Sequence, residues 1–240
     1  MASSKRGRRA AAGVAARAQA NGASGRHLLK EHAYAEIKQR LLSSAFAPGS
    51  FLAERQLASQ LGMSKTPVRA ALERLEVEGF VTISPQQGVI VRELSVHEIA
   101  DQYEIRVALE TFVLRTLAGR LGPAQVERVR ANLKAQEANC RDRDVERGVA
   151  LDAEFHTLFC EFLGNQEILR VMGQLRAKIH RVISRVFRNH AGRMASSYEE
   201  HRAIADAVIA GNAALAVQRI EEHLEYGKQC LLSPRRAGPI

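Results

Sequence analysis

The chain has 240 residues, 46% of them hydrophobic, and a formal net charge of +9. That length accommodates one large domain or two modest ones, each able to bury its own core. No apolar run approaches the length of a bilayer span, so a soluble chain with no membrane partner is expected. The three cysteines, Cys140, Cys160 and Cys230, are odd in number and unpatterned, which implies no disulfide framework and suits a reducing cytoplasm.

The excess charge is local. Residues 1–30 hold seven Lys and Arg and no acid, whereas 31–92 hold seven bases against six acids and 93–240 hold twenty-one against twenty. The opening segment is rich in Ala, Gly, Ser and Arg and lacks a continuous apolar stretch. It therefore reads as neither a secretory signal nor, despite Arg8-Arg9, a twin-arginine signal. Residues 1–30 are expected to be a disordered basic tail, an inert solvated extension ahead of a non-specific phosphate binder. Any specific DNA binding has to rest on placed residues in the folded part.

From His32 the apolar period is helical, with Tyr34, Ile37, Leu41 and Leu42 on one face and a stop in Ala47-Pro48-Gly49. A short helix follows from about Ala53 with Leu57, Ala58 and Leu61 inward, ended by Gly62. A third starts at Ser64 as N-cap, carries Pro67 in its first turn, and runs through Val68, Ala71, Leu72 and Leu75 to Gly79. Two short helices around a tight turn make a helix-turn-helix. The period then shortens toward two, with Phe80, Val81 and Ile83, then Val89, Ile90 and Val91, around a turn at Gln86 to Gly88. This predicts a β-hairpin wing and a winged helix-turn-helix over 31–92.

The residues Glu54-Arg55-Gln56-Leu57-Ala58, Ser64-Lys65-Thr66-Pro67-Val68-Arg69-Ala70-Ala71-Leu72, Leu75-Glu76-Val77-Glu78-Gly79-Phe80 and Gly88 resemble the GntR family at several fixed spacings. The resemblance implies double-stranded operator DNA as partner, read as a palindrome by a homodimer. It also implies that Arg69 reads bases, because Arg can contact guanine bidentately, and that Arg55 and Lys65 hold bases or backbone. Ser64 and Thr66 suit phosphate, and Pro67, Gln87 and Gly88 complete the implied DNA-binding set. The family often has Arg where this chain has Lys65, which shifts that position toward phosphate contact. Taken singly, Arg69 is also readable as a solvated helix charge, Ser64 as a cap and Gly88 as a turn residue.

Beyond Arg92 the pattern is helical. Segments run over Val96 to Leu121, Ala124 to Asn139, Val149 to Leu163 and Glu167 to about Asn189, followed by two helices separated by Gly211-Asn212. A charged Arg141-Asp142-Arg143-Asp144 stretch and a break at Ala191 to Ala195 interrupt them. The fold class is therefore mainly α, an N-terminal winged helix-turn-helix followed by an all-α bundle of six or seven helices over 95–232.

Asp152 and His156 stand at i and i+4 on one helix face. His201 and His223 flank the Gly211-Asn212 turn symmetrically, so in an antiparallel hairpin they lie at one level. If the faces meet, one carboxylate and three imidazoles converge, a set suited to a borderline divalent ion, zinc first and nickel or manganese next. His27, His32, His97, His180 and His190 form no such arrangement. Chance placement of surface or core histidines is the bland alternative.

The stretch also resembles the FadR-type C-terminal (FCD) sensor domain, through Ile105-Arg106 with Leu109-Glu110, Asp152-Ala153-Glu154-Phe155-His156 with Gly164-Asn165, Glu200-His201 with Ile204, and His223-Leu224. The resemblance implies a metal on Asp152, His156, His201 and His223 with a small carboxylate or sugar-acid effector beside it. Arg106 in an apolar helix is either an effector contact or an internal ion pair with Glu110. Phe187 is either a cavity wall or an ordinary core aromatic. Arg176, Lys178, Arg181 and Arg185 sit on a helix that is basic on several sides. Cys160, one turn after His156, reads as a core thiol before a soft ligand.

The expected function is a regulator, more often a repressor, whose operator binding is controlled through the 84–95 wing and hinge by an effector. The competing readings are a metal-dependent hydrolase fused to a DNA-binding domain and a regulator with a purely structural metal. Against the hydrolase, no carboxylate is placed as in H-E-x-x-H, no nucleophile elbow or phosphate loop is present, and Glu154 points about 200° around the helix from Asp152.

Overall fold

The structure, a computed structural model, describes residues 27–43, 45–84, 88–190 and 192–232. Most of the expected basic tail and Gln87 lie outside the described residues. The chain divides into two compact units, Met1–Glu93 and Leu94–Ile240.

In the first unit α1 is helical over 27–42, beginning ahead of the His32 start that periodicity suggests. Its fully buried face is Ala33, Ile37 and Leu41, and Tyr34 and Leu42 are only half-buried. β1 (Phe51–Leu52), α2 (Glu54–Gln60), α3 (Lys65–Val77), β2 (Val81–Ser84) and β3 (Gly88–Val91) follow. The sheet has the order β1-β3-β2 and is antiparallel throughout, with Val81 opposite Val91 and Phe51 opposite Ile90. β1 escapes sequence reading because two residues carry no alternation. Leu57, Val68, Leu72, Leu75, Phe80, Val81, Val89 and Val91 form the core that orients α3. Gly62, at φ +63°, makes the turn between α2 and α3.

A polar clasp fixes α1 to the end of α3. The Tyr34 hydroxyl donates to Glu78 at 2.8 Å, Lys38 Nζ to Glu78 at 2.7 Å, and the Arg74 guanidinium stacks 3.7 Å from the Tyr34 ring centroid. Burial pushes the Glu78 carboxyl up, but hydrogen bonds from Lys38 and Tyr34 outweigh it and hold the group below its ordinary 4.5. A carboxyl depressed in the folded state stabilises it above the unfolded pKa, and that contribution disappears as pH falls through the folded value. Glu78→Gln should therefore cost about 1–2 kcal/mol at neutral pH. In denaturant titrations the gap to the parent should close in acid below the ordinary carboxylate pKa; a gap of constant size across that range would remove the clasp from the stability account.

The second unit consists, among the described residues, of α4 (Val96–Leu117), α5 (Pro123–Asp142), α6 (Val145–Leu163), α7 (Gln166–Asn189), α8 (Arg193–Ile209) and α9 (Ala213–Leu232). α4 packs on α9 and α6, α5 on α6 and α8, α6 on α7, and α8 on α9. Val113, Leu114, Phe155, Phe159, Met172, Ile179, Ile204, Val208, Ile220 and Leu224 fill the centre. Starts are marked by a Ser95/Glu98 capping box, by Pro123 at the head of α5, and by Asp144 and Asn165, whose side chains accept from backbone N–H groups one turn in.

Three boundaries differ from the sequence reading. α4 stops at Leu117 rather than Leu121, because Gly119, at φ +72°, turns the chain and donates its N–H to Val208 O at 2.9 Å. A Cβ on Gly119 would come within 3.1 Å of the Gly211 Cα, so the two glycine turns meet backbone to backbone. The charged 141–144 stretch is a corner rather than a bridge, since α5 continues to Asp142 and α6 starts at Val145 once left-handed Arg143 has reversed the chain. The opening turn of α6 holds the exposed Glu146 and Arg147 between Val145 and Gly148, so apolar periodicity gives little signal there.

Candidate metal centre and DNA-binding surface

Packing of α6, α8 and α9 brings Asp152, His156, His201 and His223 together, all buried, with one ligand atom from each lying within 4.8 Å of the others. The α8–α9 hairpin turns at Gly211 and puts His201 and His223 side by side, ring centroids 4.7 Å apart.

Each imidazole is held from behind by an oxygen acceptor. His156 Nδ1 lies 2.6 Å from Glu110 Oε2, His201 Nδ1 2.8 Å from Gln136 Oε1, and His223 Nδ1 2.6 Å from Glu200 Oε2. The Gln136 orientation is fixed in turn by its Nε2, which donates to Asn132 Oδ1 at 2.7 Å. Acceptors at all three Nδ1 atoms place the proton there and leave the Nε2 lone pairs for the centre. His156 Nε2 and His201 Nε2 are buried with no hydrogen-bond partner among the described residues. Burial, and then the neighbouring His223 and His156, hold His201 well below its ordinary pKa, and burial also lowers His223 despite Glu200, so both are neutral at pH 7. Asp152 Oδ1 lies 3.7 Å from His201 Nε2 and accepts from Ser197 Oγ at 3.4 Å. Buried lone pairs without donors beside a buried carboxylate fit a divalent cation, and the cluster could hold one.

The holding carboxylates are themselves paired. Arg106 Nε donates to Glu110 Oε1 at 2.8 Å, and Arg193 donates through both terminal nitrogens to Glu200 at 2.7 and 2.9 Å. Burial raises Glu110, but Arg106 and His156 outweigh it and bring its pKa down to about 2. Of the two readings of Arg106, the structure shows the internal ion pair with Glu110; the side chain also lines a small cavity of about 30 Å³ with Tyr103, Asp152, Phe187, Arg193 and His223. Phe187 also borders a larger cavity with Cys140, Arg143 and His190.

Sequence reasoning names Glu110 and Glu200 without giving either a role toward the histidines, and misses Gln136 and Arg193. Arg193 sits in what reads as a break, and the Glu200–His223 pairing spans two helices, so no local signal exists for either. Glu154 accepts from Asn132 Nδ2 at 2.9 Å. The Cys160 thiol is a core group, pushed up to about 12 by burial.

In the first unit Arg55, Ser64, Lys65, Thr66 and Arg69 are all exposed around the start of α3. The Arg69 side chain is 67% exposed, with Nε 3.7 Å from Glu54. Ser64 takes the extended N-cap conformation and makes no side-chain cap bond. Pro67 is a correction to the exposed DNA-binding set: it is buried on the inner face of α3 with Val68, where it shapes the first turn. Gly88 is exposed at φ +86°.

A winged helix-turn-helix with an exposed basic helix start, carried in one chain with an all-helical unit that encloses a histidine cluster, is the architecture of a DNA-binding regulator. Residues 29–91 match the model of the bacterial regulatory proteins of the gntR family and residues 101–226 that of the FCD domain. The chain belongs to the GntR family of transcriptional regulators and carries an FCD domain. It is 32% identical over 207 residues to an uncharacterized HTH-type transcriptional regulator in an unstable DNA locus of Streptomyces ambofaciens, covering 86% of this chain and 85% of that one. It is 26% identical over 175 residues to the gluconate operon transcriptional repressor of Bacillus licheniformis, 71% of this chain and 69% of that one. A putative GntR transcriptional regulator from Rhodococcus sp. RHA1 shares the fold at TM-score 0.75 and 21% identity, covering 86% of this chain and 99% of the other. E. coli McbR/YncC does so at TM-score 0.73 and 21% identity, covering 85% and 96%. The family consists of regulators, so the hydrolase alternative falls: this chain is a transcription regulator and not an enzyme. No helix of the described residues is long and apolar enough to cross a membrane.

Proposed function

We propose that the chain is a cytoplasmic, homodimeric repressor of the FadR type that grips a palindromic operator through Arg55, Ser64, Lys65, Thr66, Arg69 and the Gln87-Gly88 wing tip. Its grip is controlled by a small organic acid bound at a divalent metal on Asp152, His156, His201 and His223. The observation that carries this reading is the orientation of the imidazoles, each fixed through Nδ1 by a protein oxygen so that Nε2 faces a common centre. Such pre-orientation commits the buried Glu110 and Gln136 and the half-buried Glu200, and has no use in a plain core. Neutral imidazole and one carboxylate favour zinc, with nickel or manganese as the alternatives. The ion, when bound, supplies a Lewis-acidic point for an effector oxygen.

The protein's own residues do the rest. Arg106 keeps both terminal nitrogens without an acceptor among the described residues, so a buried cation faces the cavity ready for an anion. Phe187 closes one side. Repression is favoured by the gluconate operon repressor among the relatives. A second copy of the chain is favoured by Ile105 and Phe112, exposed and two turns apart on one side of α4. Control requires the effector to bind one arrangement of the dimer better than the other.

The small size of the cavity favours one competing reading, a structural metal with no effector. Calorimetry on metal-loaded protein with small carboxylates and sugar acids separates the two. Saturable binding that disappears in Arg106→Gln is the expected result, and silence across the panel would leave the metal as a structural part.

A further inference from the structure

The three rings of the cluster are not held alike. Behind His156 and His223 stand the carboxylates of Glu110 and Glu200, which when ionised only accept, so each ring carries its proton on Nδ1. Behind His201 stands an amide. Gln136 presents Oε1 to His201 Nδ1 at 2.8 Å, but the same side chain turned over would present its NH2 donor instead. The His201 proton would then move to Nε2, toward Asp152 Oδ1 at 3.7 Å, and a hydrogen would stand where the cation binds. The ring itself is stacked 4.1 Å from Phe155, so the choice between its two nitrogens falls to the amide.

A buried polar chain on α5 removes that freedom. Asn132 and Gln136 are one turn apart on the same face, both buried, and Gln136 Nε2 donates to Asn132 Oδ1 at 2.7 Å. Asn132 Nδ2 in turn donates to Leu151 O at 3.2 Å and to Glu154 Oε2 at 2.9 Å. A backbone carbonyl can only accept, so this end of the chain has one sense. Turning Asn132 over would set its Oδ1 against Leu151 O and a carboxylate, and turning Gln136 alone would set Oε1 against Asn132 Oδ1. Either leaves buried acceptors facing each other without a proton, which is costly. We propose that Asn132 is a positioning residue of the metal centre: anchored on Leu151 O, it locks Gln136 and so keeps the His201 proton on Nδ1 and Nε2 open to the cation. The assignment rests on the metal reading above. Leu151 immediately precedes the ligand Asp152, so one amide ties the α6 ligand turn to the α8 ligand. Glu154 is exposed and adds a second acceptor of the same sense, dispensable while Leu151 O remains.

The test is nitrogen-15 NMR of the histidine-labelled full-length protein at neutral pH, metal-free and zinc-loaded, with zinc affinity read by chelator competition. In the metal-free parent His201 should carry its proton on Nδ1; a proton on Nε2 overturns the proposal, and this spectrum decides even where a variant fails to fold. Asn132→Leu should move the proton wholly or partly to Nε2 and bind zinc about tenfold or more weaker. Glu154→Ala should keep both the parental tautomer and the parental affinity. Adding Gln136→Glu to Asn132→Leu puts an ionised acceptor behind His201, as behind the other two rings, and should restore the Nδ1 proton and most of the zinc affinity. A merely structural role for Asn132 predicts no such rescue. A parental tautomer and affinity in Asn132→Leu, or a double variant that recovers neither, overturns the positioning role. A parent that takes up no zinc while its His201 proton sits on Nδ1 overturns the metal reading instead, so the proton position separates the two failures.

Discussion

Arg69→Ala should abolish specific operator binding and leave the dimer whole. The side chain stands at the exposed start of α3, where a recognition helix meets base edges, and the core residues Val68, Leu72 and Leu75 face the other way. A bidentate arginine contact is worth about 1–3 kcal/mol of base discrimination, and two half-sites double it. The loss is therefore about 2–6 kcal/mol, enough to merge specific with non-specific binding. Among the described residues Arg69 pairs with Glu54 at 3.7 Å and Glu73 at 4.0 Å, surface ion pairs whose removal costs little stability. Fluorescence anisotropy with operator and scrambled duplexes at one salt concentration reads the effect, and sedimentation reads the dimer. Operator retention at parental affinity would remove Arg69 from the interface.

His201→Ala should strip the metal and lower the melting temperature of the helical unit. His201 is fully buried, stacked 4.1 Å from Phe155, and its loss removes both a ligand and the partner of Gln136. A ligand present at a thousand times its dissociation constant stabilises the folded state by about 4 kcal/mol. For a unit of this size that is roughly 8–16 °C in melting temperature. Chelator should bring the parent down toward the variant and leave the variant unmoved. Acid should do the same, because imidazoles must be unprotonated to bind a cation, so metal is retained at neutral pH and released as pH falls. Parental zinc content in purified His201→Ala would take the ligand role from this residue.

Most of the helices were legible because their buried faces repeat at the helical period, as in Leu57 with Ala58 and Val68 with Leu72 and Leu75. What failed to show was written in other terms. Two-residue β1 is too short for a pattern, the first turn of α6 gives little apolar signal, and the exposed start of α1 precedes the first buried residue. Pro67 illustrates the same limit from the other side, since a motif can mark a position without saying whether it faces DNA or core.

The histidine cluster divides along the same line. Asp152 and His156 are one turn apart on a helix, and His201 and His223 are symmetric about a glycine turn, so local spacing alone put the first pair on one helix face and, given an antiparallel hairpin, the second at one level. Only the tertiary structure decided that the two pairs meet, that Glu110, Gln136 and Glu200 hold the three rings from behind, and that Arg193 completes a second cationic chain. Those contacts join residues 23 to 65 positions apart across different helices. Sequence periodicity records which way a helix faces, whereas only packing decides what it faces.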